Sequence, residues 1–168
     1  FANMAIDIEP ILKEIGEEII AEMQANLEKN KPGKSWNSMA SGNLYGSFGS
    51  EVKNNVLEIK SSAEYSGNVD LGRRSGTMPP ISSIAKWIQD KGINIRDYSS
   101  GRFMSREGAN LNRVSYLIAR KIKREGYQGI NYVLNTFTEL KDYIEETTAK
   151  KYAEQIEKTL EQNISKRM

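Results

Sequence analysis

Apolar residues recur at three- and four-residue steps in four stretches of this chain and alternate in only one. That contrast constrains the fold strongly, because a 3.6-residue period suits a helix and a two-residue period suits a strand. The first helical stretch is 7–29, where Ile8, Leu12, Ile15, Ile19, Met23 and Leu27 make a stripe that Ile11 and Ile20 widen. Asp7 is positioned as its N-cap and Pro10 falls in its first turn. Glu14, Glu17, Glu18 and Glu22 cover the other face, and Pro32-Gly33 ends the segment. The alternating stretch is 49–62. There Val56, Glu58 and Lys60 interleave with Leu57, Ile59 and Ser61, and Asn54-Asn55 supplies a tight turn, so a β-hairpin is expected.

The stretch Tyr65 to Gly92 binds these pieces together. Pro79-Pro80 opens a helix that Gly92 closes, with Ile81, Ile84, Ala85 and Ile88 on one face and Trp87 beside them. Ahead of it lies a glycine-bounded basic turn, Gly72-Arg73-Arg74-Ser75-Gly76. A loop held between two ordered segments is a candidate contact surface. The next helix is expected over 111–125, with Asn110 as N-cap, Gly126 at its end, and Leu111, Val114, Leu117, Ile118 and Ile122 as the buried stripe. Past Gly126 the chain becomes helical again. Val133, Phe137, Leu140 and Ile144 form one stripe, and Ala149, Ala153, Ile156, Leu160 and Ile164 form a second, out of phase at Thr147-Thr148. β-Branching weakens a helix there, so a kink or a break into two helices is expected.

The whole reads as an α+β fold: a small antiparallel sheet, the hairpin near 49–62, packed against several helices, with a long C-terminal helix or helix pair. We expect a single domain over 1–168, in which 138–168 is a helical extension packing on 7–29. Phe1-Ala2-Asn3, ahead of Met4, reads as the remnant of an expression tag.

The chain has no cysteine and no histidine. That removes disulfides, zinc-finger sites, thiol nucleophiles and imidazole bases together. Carboxylate chemistry remains open in principle, but the acidic residues fall on helix surfaces and no paired-carboxylate cluster stands in an apolar or glycine-rich setting. No enzyme activity, metal or cofactor is therefore expected. No apolar run is long enough to span a membrane, and no signal-peptide pattern is visible.

The formal net charge of +2 from 168 residues implies no polyanionic partner by itself. Its distribution says more. Residues 101–126 hold Arg102, Arg106, Arg113, Arg120, Lys121, Lys123 and Arg124 against Glu107 and Glu125. Dipole complementation at a helix C-terminus accounts for part of this, and a surface facing DNA phosphates would account for it as well. Residues 94–110 read as a long loop without periodicity. Arg96, Arg102 and Arg106 alternate there with Tyr98 and Phe103, which suits either a solvated loop or contact with single-stranded nucleic acid. Residues 35–50 read as a connector with one helical turn near 42–48. Its aromatics, Trp36, Tyr45 and Phe48, would be anchors on the core or an interaction arm.

Five short segments in this order resemble a family of tailed-bacteriophage neck and tail-completion proteins, the one named after the tenth gene product of a lambda-like phage and often labelled a tail component. They are Ser41-Gly42-Asn43-Leu44-Tyr45-Gly46-Ser47-Phe48; Tyr65 with Val69-Asp70-Leu71-Gly72; the basic turn Gly72 to Gly76; Pro79 to Ile93; and Leu117 to Ile122. They cover roughly residues 41–137. The chain departs from the family at Ser75, where many members carry proline, and at Gly129-Ile130-Asn131-Tyr132, where Arg-Pro-Phe-Leu is usual. The resemblance implies a non-enzymatic virion protein, assembled in the host bacterial cytoplasm. It implies a ring of six or twelve subunits at the head–tail junction or the top of the tail, against neighbouring connector or tail-tube proteins. Arg73, Arg74, Arg102, Arg106, Arg120, Lys121 and Arg124 are then the candidate residues for a subunit interface or for passing DNA.

Overall fold

The computed structural model describes residues 7–29, 39–97 and 99–165. Residues 1–3, Pro32-Gly33, Trp36 and Tyr98, which figured in the expectations above, lie outside them. In chain order the elements are helix α1 (Glu9–Glu28), a 3-10 turn (Tyr45–Ser47), strands β1 (Phe48–Lys53) and β2 (Val56–Ser61), helix α2 (Ser66–Asp70), strand β3 (Gly72–Arg73), helix α3 (Ile81–Asp90), strands β4 (Ile95–Arg96) and β5 (Phe103–Met104), helix α4 (Gly108–Glu125), strand β6 (Tyr127–Gln128) and helix α5 (Tyr132–Ser165). The strands pair antiparallel as β1–β2, β3–β6 and β4–β5. The fold is α+β. The chain forms two compact units.

The first unit holds α1, the β1–β2 hairpin and α5. The N-cap position of α1 falls to Ile8, whose carbonyl accepts from the Leu12 N–H, and not to Asp7 as expected; the Asp7 carboxylate, one residue earlier, accepts from the Glu9 N–H at 3.0 Å. Ile11, Ile15, Ile19, Met23 and Leu27 of α1 are buried, each worth roughly 1.5–3 kcal/mol of transfer free energy. The hairpin turns at Asn54 and Asn55, both in the left-handed region at φ 50 and 62, the pair a two-residue I′ turn demands. Register then pairs Ser50 with Ile59 and Val52 with Leu57. On the opposite face Lys60 bridges Glu58 at 2.6 Å and Glu51 at 3.6 Å. α1 meets the hairpin at Gly16, where an added methyl would lie 2.9 Å from Leu57 Cδ1 and 3.1 Å from Ser50 Cβ.

α5 runs antiparallel to α1. The buried Asn26 amide donates to Thr136 Oγ1 and to Glu139 Oε2, each at 3.0 Å, and Lys151 pairs with Glu14 farther along. Tyr132 stacks at a tilt on Phe48, with ring centroids 5.8 Å apart. Of the two arrangements expected of the C-terminal segment, the single long helix forms and the helix pair does not. α5 continues through Thr147-Thr148 without a break, because β-branched residues cost only a few tenths of a kcal/mol each and the covered face persists across them. That face runs Tyr132, Thr136, Leu140, Ile144, Thr147, Lys151 and Gln155. The stripe Ala149, Ala153, Leu160 and Ile164 is exposed, with only Ile156 partly covered.

The second unit contains α2, α3, α4 and the four short strands. Ile88, Ile95 and Leu111 form its core, packed round by Ile84, Ala85, Ile93, Met104, Val114 and Ile118. α3 begins as the paired prolines direct, with Pro80 in the N-cap position, and ends at Gly92 in the left-handed conformation (φ +66), where the Ile93 N–H reaches back to the Ile88 carbonyl.

Three readings of this unit are also corrected. Residues 94–110 are not structureless: β4 and β5 pair there. α4 starts at Gly108 with Glu107 at the N-cap, not at Asn110, since the Glu107 carbonyl already accepts from the Leu111 N–H. Its buried line is Leu111, Ser115 and Ala119, and Leu117 points outward. Small residues let α4 sit close to its neighbours, and the larger side chain one step round the helix is left in water.

Candidate interaction surface

The arginine turn owes its position to close backbone passage. At Gly72 an added Cβ would come within 2.3 Å of the Tyr127 carbonyl oxygen, at Gly126 within 2.3 Å of the Arg73 carbonyl oxygen, and at Gly129 within 1.9 Å of the Asp70 carbonyl oxygen. Only glycine lets the two segments approach so nearly. β3 then pairs Gly72 with Gln128 and Arg73 with Tyr127. The Ile130 and Asn131 amides donate to the carbonyls of Val69 and Asp70 at 3.1 and 2.8 Å, and the Gly76 N–H donates to the Lys123 carbonyl at 2.7 Å. The turn 72–76 is thus tied to the last turn of α4.

This junction brings some candidate residues together and separates others. Arg73 is half-buried, its guanidinium 3.4 Å from the Thr77 carbonyl, and Arg74 is exposed. Both adjoin the end of α4 that carries Lys121, Lys123 and Arg124, with Arg120 one turn back. Arg102 and Arg106 belong to the other end of that helix. Eighteen helical residues place the ends roughly 25 Å apart. Arg106 reaches the Gly92 turn, and Arg96 lies over the Phe103 ring at 4.5 Å. The basic stretch 101–126, continuous in sequence, is spread along the length of α4, with Arg102 and Arg106 before its start, Arg113 in its first half and the other four near its end.

Local electrostatics follow from exposed partners. Glu125 accepts from Arg124 at 2.5 Å and lies 3.8 Å from Lys121, which holds its carboxyl below the usual range. Burial pushes the Tyr127 phenol up, and the nearby Arg73 charge opposes that. The Asp97 carboxylate accepts from the hydroxyls and backbone amides of both Ser99 and Ser100, which lowers its pKa to about 2. This Asx-type turn closes the β4–β5 hairpin. Asp97-x-Ser99-Ser100 is its sequence signal, one that apolar periodicity does not register. The close-passing glycines had a weaker signal, two glycines three residues apart after a helix.

The outer face of α4 combines charge with apolar area. Arg113, Tyr116, Leu117, Arg120 and Arg124 recur on it at helical spacing, all exposed. Tyrosine and arginine are the residues that interface centres favour. Among the described residues no group of three or more acidic side chains is placed to hold a metal ion. Among the described residues, too, no helix is long and apolar enough to cross a membrane. No family model, no curated protein and no solved structure matches this chain.

Proposed function

We propose that this chain is a self-assembling structural protein of a tailed-bacteriophage virion, forming a ring at the head–tail junction or the tail top against connector or tail-tube neighbours. The observation that carries the reading is where the apolar surface lies. Among the described residues fifteen large apolar side chains are exposed and eleven apolar ones are buried; Tyr116 and Leu117 are exposed side by side on α4, and Leu160 and Ile164 one helical turn apart on α5. Neighbouring exposed apolar side chains of this kind mark a surface that a partner covers. The ordered matches over residues 41–137 supply the phage context, and a sequence without thiol or imidazole groups suits a scaffold better than a catalyst. The test is native mass spectrometry and negative-stain imaging across a concentration series. Closed oligomers, six- or twelvefold, are the expected result, and a strict monomer at every concentration and with candidate neighbours present counts against it.

A second reading is favoured by the meeting of Arg73 and Arg74 with Lys121, Lys123 and Arg124. That cluster would contact DNA phosphates without sequence preference. Binding measured at low salt should fall steeply as salt rises. Absence of binding at low salt rejects this role.

A further inference from the structure

The exposed face of α5 has the chemical character opposite to that of α4. Ala149, Ala153, Leu160 and Ile164 lie in one exposed line along it. Asp142, Glu145, Glu146 and Glu157 fall on the same face by helical spacing and are exposed too. Lys150 stands at its edge. This is an acidic and apolar strip, whereas the α4 strip is basic and apolar. None of these four carboxylates forms an ion pair among the described residues, and neither does Arg113 or Arg120.

The spacing of the two strips also matches. On α4, Arg113 and Arg124 are eleven residues apart, with Tyr116 and Leu117 between them. On α5, Glu146 and Glu157 are eleven residues apart, with Ala149 and Ala153 between them. Eleven residues rise about 16 Å on either helix. With the helices aligned in parallel, Ala149 comes level with Tyr116, and a carboxylate lies at each end where a guanidinium would arrive: Arg113 has no ion pair among the described residues, and Arg124 would exchange Glu125 of its own helix for Glu157. We infer that the α5 strip of one copy of this chain docks on the α4 strip of the next copy. The tyrosine and leucine at the middle of the basic strip favour a protein occupant over a phosphate backbone, which offers nothing apolar to cover them.

Such a contact joins two different surfaces, so it is heterologous. A heterologous contact repeats from copy to copy and closes into a ring when the rotation between copies allows. The inference rests on the self-assembly proposed above and identifies the surfaces that would produce it.

Sedimentation of the full chain over a concentration series tests it, with four proteins compared. They are the unaltered chain, an Arg113→Glu/Arg124→Glu variant, a Glu146→Arg/Glu157→Arg variant, and a chain carrying all four changes. Every substituted side chain is exposed, and circular dichroism checks that each variant remains folded. Each double reversal should weaken association about tenfold or more. The fourfold variant should regain it, and so should an equimolar mixture of the two double variants. If the unaltered chain associates but neither reversal weakens it, the docking inference is overturned and self-assembly stands. If only the α5 reversal acts, α5 pairs with itself and the inference is likewise overturned. If the unaltered chain is monomeric throughout, the self-assembly reading falls and takes the inference with it.

Discussion

Single side chains and single missing side chains set the local geometry of this protein. Gly129 has no Cβ because the Asp70 carbonyl oxygen occupies that space. Gly129→Ala must push apart two backbone segments, and a loss of about 3 kcal/mol or more is expected in urea denaturation. Ser115 makes the opposite case. Its hydroxyl is fully buried in α4 and has no hydrogen-bond partner. Ser115→Ala removes an unsatisfied polar group and gains helix propensity, so stability should rise by about 1 kcal/mol in the same assay. Asp97 is depressed to about 2 in the folded chain against its ordinary 3.8. A folded value below the unfolded one means the turn gains stability from the carboxylate above about pH 4. That contribution is lost as pH falls from there through 2. A carboxyl-carbon NMR titration should place the Asp97 midpoint near 2, and a midpoint near 4 would show that the serine contacts do not form in solution.

At the scale of elements, helices and the main hairpin were legible from residue spacing, and the small strands were not. The hairpin followed from alternation around Asn54-Asn55, because alternation puts Leu57 and Ile59 on one face whatever the hairpin packs against. Its turn remains improvable. Asn55 sits at φ 62, which glycine tolerates better, so Asn55→Gly should stabilise the first unit by roughly 0.5 kcal/mol in thermal denaturation. β3 and β6 have two residues each, too few for any pattern. They exist because Gly72, Gly126 and Gly129 let distant segments touch. Whether α5 is one helix or two was not legible for a related reason. A shift of apolar phase at Thr147-Thr148 suggested a break, but the covered face of the helix becomes polar there, through Thr147, Lys151 and Gln155, while the second apolar stripe turns to solvent. Amide exchange across 144–152 should therefore show protection continuous with the flanking turns. A dip at 147–148 would restore the broken-helix expectation.

For the molecule as a whole, the informative quantity is the apolar area left uncovered. Fifteen exposed large apolar side chains against eleven buried apolar ones among the described residues leave surface to share, and the opposite charges beside them on α4 and α5 suggest what shares it. Salt provides a further check at this scale. Ion pairs at an exposed rim are screened within about 8 Å at physiological ionic strength, so association through the α4 and α5 strips should weaken between low and moderate salt and level off where the apolar centre carries the remainder. The sequence alone determined the class of fold, the hairpin and its turn, the proline-led α3 and the absence of thiol and imidazole chemistry, since these depend on residue type and near-neighbour spacing. Tertiary structure alone decided that Arg73 and Arg74 join the end of α4 that carries Lys121, Lys123 and Arg124, away from Arg102 and Arg106. It also decided that Leu117, Leu160 and Ile164 face water. Each of these outcomes depends on which distant segment covers a given face, and backbone passage past a glycine is set by chain packing rather than by local propensity.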